Sequence, residues 1–135
     1  MINVEIVYKQ DEAVTGEQVA ELFRKSGIKR LVHDADRIQK MIQNADVMIS
    51  AWHEDKLVGI ARSITDFYYC CYLSDLAVDK ESQKNGLGKR LVELTQEKLG
   101  EEVSLVLLSS PVAMEFYPRI GFENSDKAFV IPRKK

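Results

Sequence analysis

Apolar and polar positions repeat along the chain with two periods, and each change of period marks an element. Val4-Glu5-Ile6-Val7-Tyr8 alternates as a strand does, and Thr15-Gly16-Glu17-Gln18 follows in the form of a capping box. Behind that box Val19, Leu22 and Phe23 fall at helical spacing, which predicts a helix from about Gly16 to Lys25. Asp34 can cap a second helix, since Ile38, Met41, Ile42 and Ala45 recur three and four residues apart; it should end near Asn44. Two apolar runs, 47–52 and 57–64, flank the polar segment His53-Glu54-Asp55-Lys56 and predict an antiparallel hairpin. A third long strand is expected from about Tyr69 to Val78.

The second half is shorter in its periods. Gly86-Leu87-Gly88 opens a helix whose Leu87, Leu91 and Leu94 share a face, and Gly100 is placed to stop it. Residues 103–108 suit a short buried strand, and Ser110-Pro111 offers an N-cap with proline at the first helical position. A short helix from about Pro111 to Tyr117 should close at Gly121-Phe122, and 128–131 has the composition of a last edge strand. Strand, two helices, three strands, helix, strand, helix, strand is the order of an α/β fold with a mixed sheet. The strict β-α repetition of a doubly wound dinucleotide fold is missing.

Composition narrows the classes. A chain of 135 residues, 45% hydrophobic and 30% charged, suits one domain over 1–135. Its 19 basic and 21 acidic residues leave a net charge of -2, so a protein bound chiefly to phosphate backbones is disfavoured and no nucleic-acid partner is expected. No apolar run approaches the roughly 20 residues of a membrane span, and the first residues lack signal-peptide features; the expectation is a cytoplasmic protein without a membrane partner. Cys70 and Cys71 are adjacent and cannot close a loop; they are expected as reduced thiols, small and buried in a strand. His33 and His53 lie far apart and neither cysteine has a C-x-x-C partner, so no metal site is expected.

Chemistry concentrates in residues 73–91, where a strand passes through a loop and two glycines into a helix. Glycines at a helix N-terminus let backbone N–H groups approach a ligand, and the positive end of the helix dipole favours an anion. A dinucleotide fingerprint fails because Leu91 stands three residues after Gly88. A Walker loop fails because Gln83 takes its first glycine position and Arg90 its hydroxyl position. What remains is Gln-x-x-Gly-x-Gly, with Lys80, Lys84, Lys89 and Arg90 against Asp79 and Glu81, a local charge of 4 − 2 = +2. That balance suits a pyrophosphate, although an ordinary glycine-rich helix start has the same glycines.

Here the chain resembles the GNAT superfamily of acyl-CoA-dependent N-acetyltransferases. Gln83, Gly86 and Gly88 match its pyrophosphate signature, Leu76-Ala77-Val78 looks like its central strand, and Ala113–Phe122 looks like its Ala-x-x-Phe/Tyr-Tyr-x-x-x-Gly-Phe element. The resemblance implies a single-domain α/β fold with a central mixed, mostly antiparallel sheet, about four flanking helices and splayed central strands. It places Gln83, Lys84, Asn85, Gly86, Leu87, Gly88 and Lys89 around the pyrophosphate of acetyl-CoA, and Leu76, Ala77 and Val78 along the pantetheine arm. Leu76 N–H would polarise the thioester carbonyl. Tyr117 maps to the tyrosine that protonates the departing thiolate, and Ser110 stands where many members have a pantetheine-contacting asparagine. Pro118 follows Tyr117 and cannot donate a backbone bond to Met114.

Asp75, beside the expected oxyanion donor, is the leading candidate for the base that deprotonates the acceptor, with a structural pairing to Arg62 as the competing role. Glu54, Asp34 and Asp36 are more ordinary surface or capping acids. The implied function is transfer of acetyl from acetyl-CoA to a primary amine, on a small molecule or a protein, by direct attack in a ternary complex. Alternatives are a noncatalytic acyl-CoA-binding sensor or interaction domain, and a small nucleotide-binding regulatory domain. A homodimer is a further possibility that the resemblance raises.

Overall fold

A computed structural model describes residues 5–135, without the side chains of Lys84 and Asn85. Five strands form one sheet in the order β1 (Val7–Gln10), β2 (Val47–His53), β3 (Lys56–Thr65), β4 (Cys70–Val78), β5 (Ser104–Val106). The first four pair antiparallel and β5 joins β4 in parallel, as the mixed, mostly antiparallel expectation required. Four α-helices accompany them: α1 (Gly16–Ser26), α2 (Ala35–Gln43), α3 (Leu87–Leu99) and the single turn α4 (Phe116–Arg119).

Local chemistry explains the helix ends. Thr15 Oγ1 accepts from Gln18 N–H at 3.1 Å while Gln18 Oε1 accepts from Thr15 N–H at 2.9 Å, the reciprocal box that starts α1. Gly27 ends it in a left-handed conformation at φ +81. Asp34 caps α2 through Arg37 N–H, and the two helices lie so close that a Cβ on Gly16 would sit 2.3 Å from the Ala35 carbonyl oxygen.

The sheet separates two apolar cores. On one face Val47, Ile49, Ala61, Leu73 and Val78 pack against Leu87, Leu91 and Leu99 of α3; on the other Met48, Trp52, Ile60 and Ala77 meet Val19, Leu22, Phe23 and Ile38 of α1 and α2. Alternation alone would not allow this, because Leu73 and Leu76 are three apart in β4 yet both lie against the α3 side. A bulge resolves it: Arg62 faces Asp75 but Ser63 faces Leu73, so Ser74 is the extra residue and the strand resumes with its face corrected.

Four expectations change. The first strand runs over Val7–Gln10, later than the alternation suggested, and the expected start at Val4 lies outside the described residues. Residues 128–131 form no strand; Phe129 and Ile131 are 96% and 98% exposed, and no strand partner stabilises their extended propensity. Pro111–Ala113 is a 3₁₀ turn, and α4 begins only at Phe116. Pro118 therefore falls in the first turn of α4, where its missing N–H has no helical acceptor to lose. Of the two thiols, Cys71 is buried but Cys70 is exposed, since successive strand residues point to opposite faces.

Candidate functional site

β4 and β5 pair only from Cys70 with Ser104 to Tyr72 with Val106, after which no ladder continues. Leu76, Ala77 and Val78 keep their partners on β3 but have none toward β5, so one side of β4 opens into a wedge. Unpaired strand main chain is an available row of donors and acceptors.

Immediately beyond the wedge the chain turns through a 3₁₀ segment, Lys80–Asn85, into α3. Asp79 begins the turn by accepting from Glu81 N–H at 3.0 Å. Gln83 donates its side-chain amide to the Val78 carbonyl at 3.0 Å, which ties the turn to the end of β4. The sequence placed Gln83 around a pyrophosphate; its side chain is instead the brace that holds the turn. Gly86 takes φ +72, a left-handed conformation that disfavours other residues, and a Cβ there would meet nothing within 4 Å. No side chain caps α3, so the N–H groups of its first turn, Leu87, Gly88 and Lys89 among them, lack intrahelical acceptors. The expected side-chain parts of Lys84 and Asn85 lie outside the described residues.

The second motif lands against the first. A Cβ on Gly88 would come 3.1 Å from Phe116 Cζ, so the glycine is also the seat of that ring. Tyr117 is half-buried, stacked edge-on to Phe116 and Phe122 with centroids at 5.2 Å and 5.4 Å. Burial raises its phenol above the ordinary tyrosine value, and the positive charge of Arg30 opposes the rise. Ser110 is exposed ahead of the 3₁₀ turn at Pro111 and makes no side-chain cap.

Asp75 is fully buried and its two oxygens are occupied. Arg62 Nε donates to Oδ2, and Arg30 Nε donates to Oδ1 at 2.7 Å. Arg62 Nη2 also reaches Ser74 Oγ at 3.0 Å, while Arg30 Nη2 reaches the Ser74 carbonyl at 2.7 Å. The pairing with Arg62 weighed from the sequence is present; Arg30 is the partner that sequence reasoning missed. Its only signal was a lone arginine in the polar link between two amphipathic helices, 45 residues before its partner. A carboxylate so engaged has little free basicity to offer an amine.

Comparison with known proteins bears on the same arrangement. Residues 10–131 match the acetyltransferase (GNAT) domain model. The chain belongs to this family. It is similar to the chloroplastic GCN5-related N-acetyltransferase 2 of Arabidopsis thaliana, 37% identical over 75 residues that make up 52% of this chain and 28% of that one. The GNAT fold is also that of an acetyltransferase from Streptococcus pneumoniae, with a TM-score of 0.76, 21% identity and 97% and 100% of the two chains covered. The aminoglycoside N-acetyltransferase AAC(6')-Iy, in complex with CoA, aligns at a TM-score of 0.71 with 12% identity over 99% and 98% of the chains. Among the described residues no helix is long and apolar enough to cross a membrane. The expectation of a cytoplasmic location gains nothing from the plant relative, which is named chloroplastic.

Proposed function

We propose that this GNAT chain, as one domain over 1–135, transfers an acetyl group from acetyl-CoA to a primary amine by direct attack in a ternary complex. The observation that carries the reading is the end of β4–β5 pairing at Tyr72 and Val106, directly ahead of an uncapped α3 entered through Gly86 and Gly88. The wedge suits a linear arm with amide groups, and the α3 start suits a pyrophosphate; acetyl-CoA has both in one molecule. That AAC(6')-Iy shares the fold and holds CoA supports the same choice.

The residues divide the work. Leu87, Gly88 and Lys89 N–H groups hold the pyrophosphate, with Lys84 and Asn85 main chain beside them. Leu76, Ala77 and Val78 offer main-chain groups to the pantetheine, Ser110 adds a hydroxyl at the wedge, and Leu76 N–H polarises the thioester carbonyl. Tyr117 donates its phenolic proton to the departing thiolate. Asp75 holds the bulge in place, and ordered water carries the acceptor's proton away.

Calorimetric titration with acetyl-CoA, desulfo-CoA and ADP tests the site without knowledge of the acceptor. Saturable binding of both CoA compounds, weakened in Gly88→Val, is the expected result. Equal binding of ADP and acetyl-CoA would remove the pantetheine wedge from the reading, and folded protein that binds none of the three would overturn it.

A further inference from the structure

Arg30 belongs to neither family motif, yet it makes more polar connections than any other residue around the wedge. It leaves the α1–α2 link, crosses to β4, and places three N–H groups on fixed acceptors: Asp75 Oδ1 at 2.7 Å, the Ser74 carbonyl at 2.7 Å and the Lys29 carbonyl at 2.6 Å. The acceptors on β4 lie at the bulge, one and two residues before Leu76. Two guanidinium groups share one carboxylate there, leaving an excess of one positive charge (2 − 1), and among the described residues neither arginine has another acidic partner. Arg62 is largely buried behind the strand; Arg30 keeps 27% of its side chain accessible and is the charge that faces Tyr117. On the far side of that phenol, Glu115 and Arg119 are exposed and pair with each other at 3.6 Å.

We propose that Arg30 is a positioning residue of the transfer reaction: clamped by Asp75 and the Ser74 carbonyl, it fixes the α1–α2 link to the bulge and presents positive charge to the Tyr117 hydroxyl. This rests on the reading of Tyr117 as the proton donor. When the C–S bond breaks, its electron pair goes to sulfur and the Tyr117 proton follows, leaving a phenolate. Arg30 stabilises that phenolate while it lasts. The new amide nitrogen sheds a proton to solvent, a proton from solvent restores the phenol, and the balance is amine plus thioester to amide plus thiol.

The test compares Arg30→Gln, which removes the charge, with Asp75→Asn, which keeps the shape of the clamp and leaves Arg30 less compensated. Ultraviolet difference titration, with Tyr117→Phe subtracted to isolate one phenol, should move in opposite directions: Tyr117 ionises at higher pH in Arg30→Gln and at lower pH in Asp75→Asn. Turnover of an amine found by screening should fall about tenfold in Arg30→Gln, a fraction of the hundredfold or more that a general acid supplies. Arg30→Lys should recover most of that loss, and acetyl-CoA affinity should be unchanged. Within a Tyr117→Phe background, Arg30→Gln should cost turnover nothing more. An unmoved Tyr117 titration in folded Arg30→Gln would overturn the role of Arg30 even if Tyr117→Phe is slow. Should Arg30→Gln fail to fold, Asp75→Asn decides alone, and an unmoved or upward titration there is the overturning result. A Tyr117→Phe enzyme with full turnover would instead sink the proton-donor reading itself.

Discussion

The two halves of the candidate site are built on different foundations. On the β4–α3 side, Leu87, Leu91 and Val92 are buried to within 1% of complete, and the strand beneath them lies inside the sheet. On the other side, no described residue after Leu99 is buried, although this stretch contains Ser110 and Tyr117. Its attachment runs through Phe116 on Gly88, the Tyr117–Phe122 stack, and Ile120 and Phe122 against the edge of the core. The cofactor half is thus held by the fold as a whole, and the phenol is held by a few aromatic contacts. A local change can displace the proton donor without unfolding the protein, whereas the main-chain donors move only if the core does.

Substitutions can break this contrast. The largest effect is expected from Asp75→Ala, which leaves two guanidinium groups at the bulge without their carboxylate; about 3–5 kcal/mol of stability should be lost in chemical denaturation. Next is Leu91→Ala, a fully buried α3 side chain, at about 2–5 kcal/mol in the same measurement. Gly88→Val should cost roughly 1–3 kcal/mol through its collision with Phe116, and acetyl-CoA affinity measured by calorimetry should fall at least about tenfold. If Gly88→Val leaves affinity intact, the glycine serves only as a seat for the ring.

A pH profile sharpens the comparison further. Because burial raises the Tyr117 phenol, the proton donor stays protonated through neutrality, and turnover should fall only on the alkaline side, above the ordinary tyrosine range. The same sign applies to stability: the neutral phenol is favoured in the folded state, so its contribution is full below the unfolded tyrosine pKa and is lost as pH rises through the folded one. Tyr117→Phe should abolish that alkaline limb while leaving acetyl-CoA affinity unchanged. The smallest effect is expected at Phe129→Ser, where an almost fully exposed ring should change stability by less than about 0.5 kcal/mol. A larger loss would show that the C-terminal segment packs against something in solution.

Legibility followed the range of the interactions. Thr15 and Gln18 are three residues apart and cap one another, so α1 could be placed from four letters. Gly86 and Gly88 mark the start of α3 because a left-handed turn and an open helix end are local requirements. The family motifs were readable for the same reason, each contained in about ten residues or fewer. Residues 128–131 misled because a strand is stabilised by its neighbour, and composition describes only one member of a pair. The 3₁₀ turn at Pro111 likewise delayed α4 beyond what the Ser-Pro pair suggested.

The sequence by itself therefore determined the fold class, the order of the principal elements, the glycine-led start of α3 and the family. Tertiary structure alone decided that β4 bulges at Ser74, that Gln83 braces the turn through the Val78 carbonyl, and that Asp75 is shared by Arg30 and Arg62. Helix caps and glycine turns are set by neighbours within a few positions, which a linear pattern can display. The pairing of Arg30 with Asp75 joins a helix link to a strand across 45 residues, and only the packing of α1 and α2 on that face of the sheet brings the two charges together.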